Sequence, residues 1–342
     1  MKPIFYILFC SAALLLCKKA HTQDIHFSQM FETPLLRNPA LAGIFSGDIR
    51  VQSVYRSQYN AVSDAYQTTS ANIEYKMLLA KNDYLTLAAQ ILYDKAGTVA
   101  LTSTHILPAL NFHKSLSDQR NRYLSLGVMG GYVQRSIDPS KITTNSQYNG
   151  NEYNALSYNG ETFPSASYSY FDGSVGLSYN SELGDEPENN MYVGIAYHHF
   201  NKAKKISFYS NTNIELTPKW VASAGIRKST SDYNYITLEA DYSRQGAYRE
   251  IIGGFLYSIK LESPDEPRYI IHGGAYLRWN DAIIPVAKIE MKPLSFAFSY
   301  DINISTLSQG SRGHGGFELS IVYQKFLDRR NSVLNAIRCP RF

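Results

Sequence analysis

The sequence predicts an all-β protein, an antiparallel transmembrane β-barrel of about 14 strands (roughly 12–16), on three observations. The first is a two-residue period. In SFAFSYDINIS, Ser295 to Ser305, the apolar residues Phe296, Phe298, Tyr300, Ile302 and Ile304 alternate with Ser295, Ala297, Ser299, Asp301, Asn303 and Ser305. The second is length: most such segments run to about ten residues, which is what a tilted strand needs to cross a bilayer. The third is a load of 27 tyrosines, a residue at home in strands and at a membrane–water boundary. A soluble β-protein would bury the apolar face, whereas a barrel in lipid turns it outward.

The chain opens with MKPIFYILFCSAALLLCKKAHTQ. Lys2 is a basic start, Ile4 to Cys17 is an apolar run too short for a membrane helix, and Ala20 and Thr22 are small residues near a cleavage site. Residues 1–22 therefore read as a secretory signal peptide, with Gln23 or Asp24 first in the mature chain. Leu16 before Cys17 is large where lipoprotein processing wants a small residue, which argues against lipidation. Cys10 and Cys17 leave with the signal, so only Cys339 remains and no intrachain disulfide can form.

Residues 23–46 form an N-terminal segment expected at the periplasmic mouth or as a plug. Pro34 and Pro39 disfavour a strand there, and Asn38-Pro39-Ala40 reads as a turn or cap. Alternating segments follow at about 47–58, 66–78, 83–94, 104–115, 122–136, 167–181, 190–201, 215–228, 233–245, 248–261, 268–280, 282–292, 294–304 and 314–326. Together, residues 47–326 make one β-unit, and residues 327–342 are a C-terminal tail. Connections after odd segments include the long 137–166 and 202–214; those after even ones include the short 79–82, 229–232 and 263–267. Long loops at one end and short turns at the other is the outer-membrane pattern.

Composition and motifs narrow the function. Net charge is +4 with no basic block, so nucleic acid is not an expected partner. The neighbours His198 and His199 would point to opposite strand faces, one interfacial and one luminal, and so would not share a metal ion. Gly313-His314-Gly315-Gly316 lacks the lysine and helix of a phosphate loop and reads as a hairpin turn. Asp301, Glu318, Glu239, Asp241 and Glu74 lie on wet faces, where Arg50, Arg56 or Arg278 would pair them. His113 and Ser115 share a strand face, but nothing nearby completes a catalytic triad. The expectation is no enzyme activity, no cofactor and no metal. The asparagine-rich stretch 143–159 reads either as a binding loop for sugar or a partner or as a solvated loop.

Several elements, taken in order, resemble one family. QDIHFSQMFETPLLRNPALAG, Gln23 to Gly43, carries Asp24, Phe27, Ser28 and Gln29, then Asn38, Pro39, Ala40 and Gly43. Tyr55, Arg56 and Gln58 follow, with Tyr59 where the family often has tryptophan. Near the end stand Arg278, Asp281, Ala282 and Pro285, then Ser299, Tyr300, Asp301, Asn303 and Ser305, and finally Gly315 to Ser320 with Glu318, before the ending CPRF. This ordered set resembles the PorP/SprF family of the type IX secretion and gliding apparatus of Bacteroidota; the middle third matches only in texture.

The resemblance implies an outer-membrane barrel without catalytic residues. It implies partners among the periplasmic ring and peptidoglycan-linked components, or a large secreted adhesin or cargo with a C-terminal sorting domain. The motif residues would be structural or docking residues. The alternatives are a porin or small-solute transporter, and a soluble secreted sandwich acting as an adhesin.

Overall fold

The computed structural model describes residues 24–58, 66–79, 82–154, 156–184, 186, 188–204, 206–209, 214–305, 308, 313–327 and 342. The signal peptide, Tyr59 and residues 328–341 with Cys339 lie outside them. Fourteen strands form a closed antiparallel barrel in which each strand pairs with its sequence neighbours and β1 closes on β14. They are β1 (Ile49–Gln58), β2 (Tyr66–Leu78), β3 (Tyr84–Ala96), β4 (Leu101–Ser115), β5 (Arg122–Ser136), β6 (Ser167–Glu182), β7 (Asn190–His198), β8 (Lys219–Ser229), β9 (Asn234–Gln245), β10 (Tyr248–Leu261), β11 (Tyr269–Arg278), β12 (Ala282–Met291), β13 (Leu294–Asn303) and β14 (His314–Lys325).

The alternation decides the wall. In β13, Phe296, Phe298 and Ile302 are exposed, while Ala297, Ser299 and Asp301 are buried. The same inversion holds in β5, where Leu124, Leu126 and Val128 face out and Tyr123, Ser125 and Met129 face in. The apolar face is on the outside and the polar face is enclosed, the arrangement that lipid imposes and a soluble core would reverse. Tyr93, Tyr132, Phe171, Trp220 and Trp279 stand exposed near the long-loop end, as a belt of interfacial aromatics does.

Several strand limits differ from the expected ones: β4 starts at Leu101, three residues before 104, β1, β3 and β11 shift by about two, and two other differences have a clear backbone cause. β7 ends at His198, three residues short of 201, because His199 (φ +59°) and Lys202 (φ +44°) turn the chain off the sheet. β8 begins at Lys219 instead of 215, directly after Pro218, which has no N–H to give to a ladder. The residues between fold on each other, with Leu216 N–H donating to the Ala203 carbonyl at 2.9 Å and a bridge from Lys204 to Glu215.

Residues 24–48 run through the inside of the barrel. Two 3-10 turns (Met30–Glu32 and Pro39–Leu41) flank one helical turn, α1 (Pro34–Arg37). The prolines begin the second and third of these, where their fixed φ suits a first turn. Leu35, Ala40 and Ala42 are fully buried; Leu35 and Ala42 pack with Leu107, Ala109 and Met129 of the wall. The segment is not confined to the mouth from which β1 starts. Asp24 lies beside His199, Lys219 and Gln245 at the long-loop end, and Phe45 lies beside Arg50 and Lys76 at the short-turn end. At that lower end the Phe342 ring meets Tyr192 edge-on, 4.5 Å between centroids, and clusters with Leu41 and Ile44.

Candidate functional site

The plug and the closing seam of the barrel meet in one buried polar cluster. Ser28 and Gln29 offer two successive N–H groups to the Glu318 carboxylate, at 2.6 and 2.7 Å. The Ser28 hydroxyl donates to Asp301 Oδ2 at 2.8 Å, and the Gln29 amide to Ser299 Oγ at 3.1 Å. Arg56 of β1 bridges Asp301 (3.0 Å) and Glu318 (3.2 Å) and also holds the His26 carbonyl at 2.8 Å. In the amide orientation that satisfies both groups, the Gln58 side-chain oxygen accepts from Arg56 Nε at 3.0 Å. Arg278 completes the cluster, reaching Asp301 at 3.3 Å, Asp281 at 2.9 Å and the Ser28 hydroxyl.

Asp301 faces inward in the same alternation as Ala297 and Ser299, and the sheet is irregular on both sides of it. The β13–β14 register slips between Tyr300 and Ile302, as at a bulge. Across the other edge, Pro285 cannot donate to β13, and the β12–β13 pairing is interrupted between Ile283 and Val286. Pro285 itself faces lipid. Tyr300 and Asn303 bond to His314 at the rim, at 3.0 and 3.1 Å, and are not among the groups holding the plug.

The Asn38-Pro39-Ala40 turn is held differently. The Asn38 side-chain oxygen caps the turn by accepting from Ala40 N–H at 2.8 Å, and its NH2 group donates to the carbonyls of Leu177 and Ile195, each at 3.2 Å. Asn111 donates to the Ala40 and Ala42 carbonyls at 2.8 and 2.7 Å, and Ser178 donates to Ala40 at 2.8 Å. Gly127 lets the turn touch the wall, since a Cβ there would fall on the Pro39–Ala40 peptide. Phe27 packs with Val54 and Leu92. Gly43, at φ +80°, donates its N–H to Glu74 at 2.7 Å, and Glu74 is paired with Arg50 at 2.7 Å.

The sequence reading passed over three anchors. Arg37 binds Asp241 through two nitrogens, at 2.5 and 2.6 Å, inside a network in which Tyr192 and Tyr276 donate to Glu239. Lys288 pairs with Glu32 at 2.9 Å, and Lys76 donates to the Gly43 and Phe45 carbonyls. The expectation that Arg50, Arg56 or Arg278 would pair Glu239 and Asp241 is corrected: their cation is Arg37, brought from the plug. Each pair removes charge from water, and such pairs hold only when their partners stay in place.

His198 and His199 both turn inward, so the expectation of one interfacial histidine is corrected. His198 belongs to the strand alternation and bonds Ser174 (2.9 Å) and the Arg37 carbonyl (3.1 Å). His199 lies past the strand end, where alternation no longer applies. Its ring nitrogens face Asp24 at 2.7 Å and Asp172 at 2.8 Å, so the imidazolium donates to both. Among the described residues no cluster has the makings of a metal site.

This outer latch titrates. Burial opposes the charge on His199, but Asp24 and Asp172 outweigh it and push the imidazole up to about 10. Burial likewise opposes ionisation of Asp24, yet His199 and Lys219 hold its carboxyl well below the usual range. The raised histidine contributes fully below its ordinary value of 6.5, and that contribution is lost as pH rises through about 10. The depressed Asp24 contributes above 3.8, and that contribution is lost as pH falls below it. A spin label on Ile25→Cys is therefore expected to gain a mobile component between about pH 9 and 11. In His199→Gln that component should already be present at neutral pH; an immobile label throughout would remove His199 as the latch.

The comparisons with known proteins bear on these motifs. The family model for the type IX secretion system membrane protein PorP/SprF matches residues 20–323. The chain belongs to the PorP/SprF family. A comparison with curated proteins finds no match. Among solved structures, this PorP/SprF protein is similar to the toluene transporter TbuX of Ralstonia pickettii. The identity is 9%, the TM-score 0.50, and 87% of this chain and 94% of that one are covered. It is likewise similar to a deltaS2 mutant of the monoaromatic hydrocarbon channel TodX, at 10% identity, TM-score 0.50, and 87% and 94% coverage. At such identities the likeness concerns the fold, that of a membrane β-barrel.

Proposed function

We propose that this PorP/SprF protein is a non-enzymatic outer-membrane component of type IX secretion. It binds an exported cargo or adhesin, or docks the periplasmic secretion machinery, and its work is done by rims and loops. The observation that carries this reading is the filled lumen. Residues 24–48 run along the barrel and are fixed to the wall by buried ion pairs at Arg37 and Glu32 and by main-chain hydrogen bonds to Arg56 and Glu74. A pore reading could draw on what the two structural neighbours are called, but the plug counts against free diffusion through this barrel.

The same segment supports cleavage of the signal peptide near Thr22, because Asp24 is already held by His199 and Lys219 at the long-loop end. The test is an affinity capture of the tagged protein from detergent-solubilised outer membrane, read by mass spectrometry. Recovery of periplasmic ring components, or of one large secreted protein, is the expected outcome. Recovery of the barrel alone, from membranes that contain those components, combined with steady conductance in a planar bilayer, would replace this reading with a porin.

A further inference from the structure

Among the described residues, strand β6 has one edge that is only partly paired. Its pairing with β5 runs its whole length, from Ser136↔Ser167 to Arg122↔Ser181. Its pairing with β7 begins only at Ser174↔His198. Among the described residues, Ser167 to Gly173 therefore has a partner strand on one side alone.

The direction of the main-chain groups is fixed by two contacts. Phe200 N–H donates to the Gly173 carbonyl at 3.1 Å, and the Asn201 side chain to the Phe171 carbonyl at 2.5 Å. Odd-numbered residues thus present their N–H and C=O to the open side, while the Asp172 carbonyl faces β5 beside Gly130. Ser167 is closed off by the Ser165 hydroxyl. Among the described residues nothing pairs with the N–H and C=O of Ser169 or with the Phe171 N–H.

This edge is wet. Along the outer face of β5 and β6 the apolar band reaches Tyr132 and Phe171, which pair with each other, and then gives way to Gln134 opposite Ser169 and Ser136 opposite Ser167. Phe171 is 67% exposed and Phe200 is 51% exposed, two apolar rings flanking the open ladder. Proteins blunt such edges with lysine, proline or a bulge. Ser167-Tyr168-Ser169-Tyr170-Phe171 carries none of these and is rich in strand-forming aromatics. The chain itself begins to cover the edge with Phe200 and Asn201, bends at Lys202, and meets β6 again through the Phe208 ring, which sets its edge to Tyr168 at 4.8 Å between centroids.

We propose that the Ser167–Gly173 edge of β6 is a docking site for an extended strand of the secreted partner. That strand adds to the sheet where β7 leaves it, through main-chain pairing at Ser169 and Phe171, and sets an apolar side chain against Phe171 and Phe200. This rests on the cargo-binding reading above. Ser169→Pro removes one edge-facing N–H and no bond to β5, so the barrel keeps its ladder.

The test captures secreted protein from the culture medium on wild type, Ser169→Ala and Ser169→Pro barrels, compared by quantitative mass spectrometry. The expected result is one secreted protein held equally by wild type and Ser169→Ala and lost roughly tenfold by Ser169→Pro. Equal capture by Ser169→Pro would overturn the edge and leave the cargo-binding reading intact. Wild type capturing no secreted protein would end the cargo reading and the edge proposal together. Should Ser169→Pro fail to fold, hydrogen exchange of the wild-type barrel decides. Fast amides at Ser169 and Phe171 beside protected Tyr168 and Tyr170 are expected, and protection at all four would overturn the proposal.

Discussion

Asp301→Asn is expected to destabilise the barrel by about 3–5 kcal/mol, the cost of stranding buried charge. The substitution keeps the shape and removes the charge. Asp301 Oδ2 lies 3.0 Å from Arg56 and 3.3 Å from Arg278 and accepts from Ser28 at 2.8 Å. Both guanidiniums are buried, so neither can recover the loss by turning to water. Glu318 remains to Arg56, but it already accepts two N–H groups from the plug. The damage should therefore spread from the seam to the plug, with protease reaching residues 26–30. The control is Lys114→Ala, which breaks an exposed pair with Asp83 at 2.8 Å and should change stability by about 0–1 kcal/mol. Unfolding midpoints in urea and detergent, read with the heat-dependent gel shift of barrels, measure both. Equal midpoints for the two variants would mean that the cluster does not hold the seam.

The barrel was legible because its determinant is local. Alternation of Phe296, Phe298 and Ile302 with Ala297, Ser299 and Asp301 needs no knowledge of neighbours, and lipid rewards the same face in every strand. The misplaced limits of β7 and β8 fall where one backbone feature each, the positive φ at His199 and the missing N–H of Pro218, overrides a continuing polar–apolar pattern. The cluster is another kind of information. Ser28, Arg56, Asp301 and Glu318 are far apart in sequence and meet only because β1 closes on β14. Each could be read as polar and inward, and Asp301 as needing an arginine, but not which partner the register would deliver. The glycines at 127, 176 and 194 were less legible still. In sequence they are small residues in strands, and their purpose shows only when Asn38 and Ala40 lie against them.

Gly127→Leu is the second large effect expected, on conductance before stability. Position 127 faces inward on β5, and even a Cβ would land on the Pro39–Ala40 peptide. That peptide cannot yield by rotating a side chain. Its N–H is held by Asn38 at 2.8 Å, Asn38 is tied to two wall carbonyls at 3.2 Å, and the next carbonyl, of Ala40, is clamped by Asn111 and Ser178, each at 2.8 Å. A leucine must therefore either break these bonds and push the turn off the wall or strain the strand, at a cost of about 1–3 kcal/mol. Breaking them opens a path beside the plug, because the turn spans β4, β5, β6 and β7 at once. Wild-type barrels in a planar bilayer should stay nearly closed, and Gly127→Leu should give steady openings with new protease cuts at residues 38–43. Gly273→Leu is the matched control, since its Cβ meets nothing within 4 Å on the outer face. A closed, protease-resistant Gly127→Leu barrel would show that the Asn38–Ala40 turn is not the seal, and the anchors at Arg37 and Arg56 would then have to close the lumen alone.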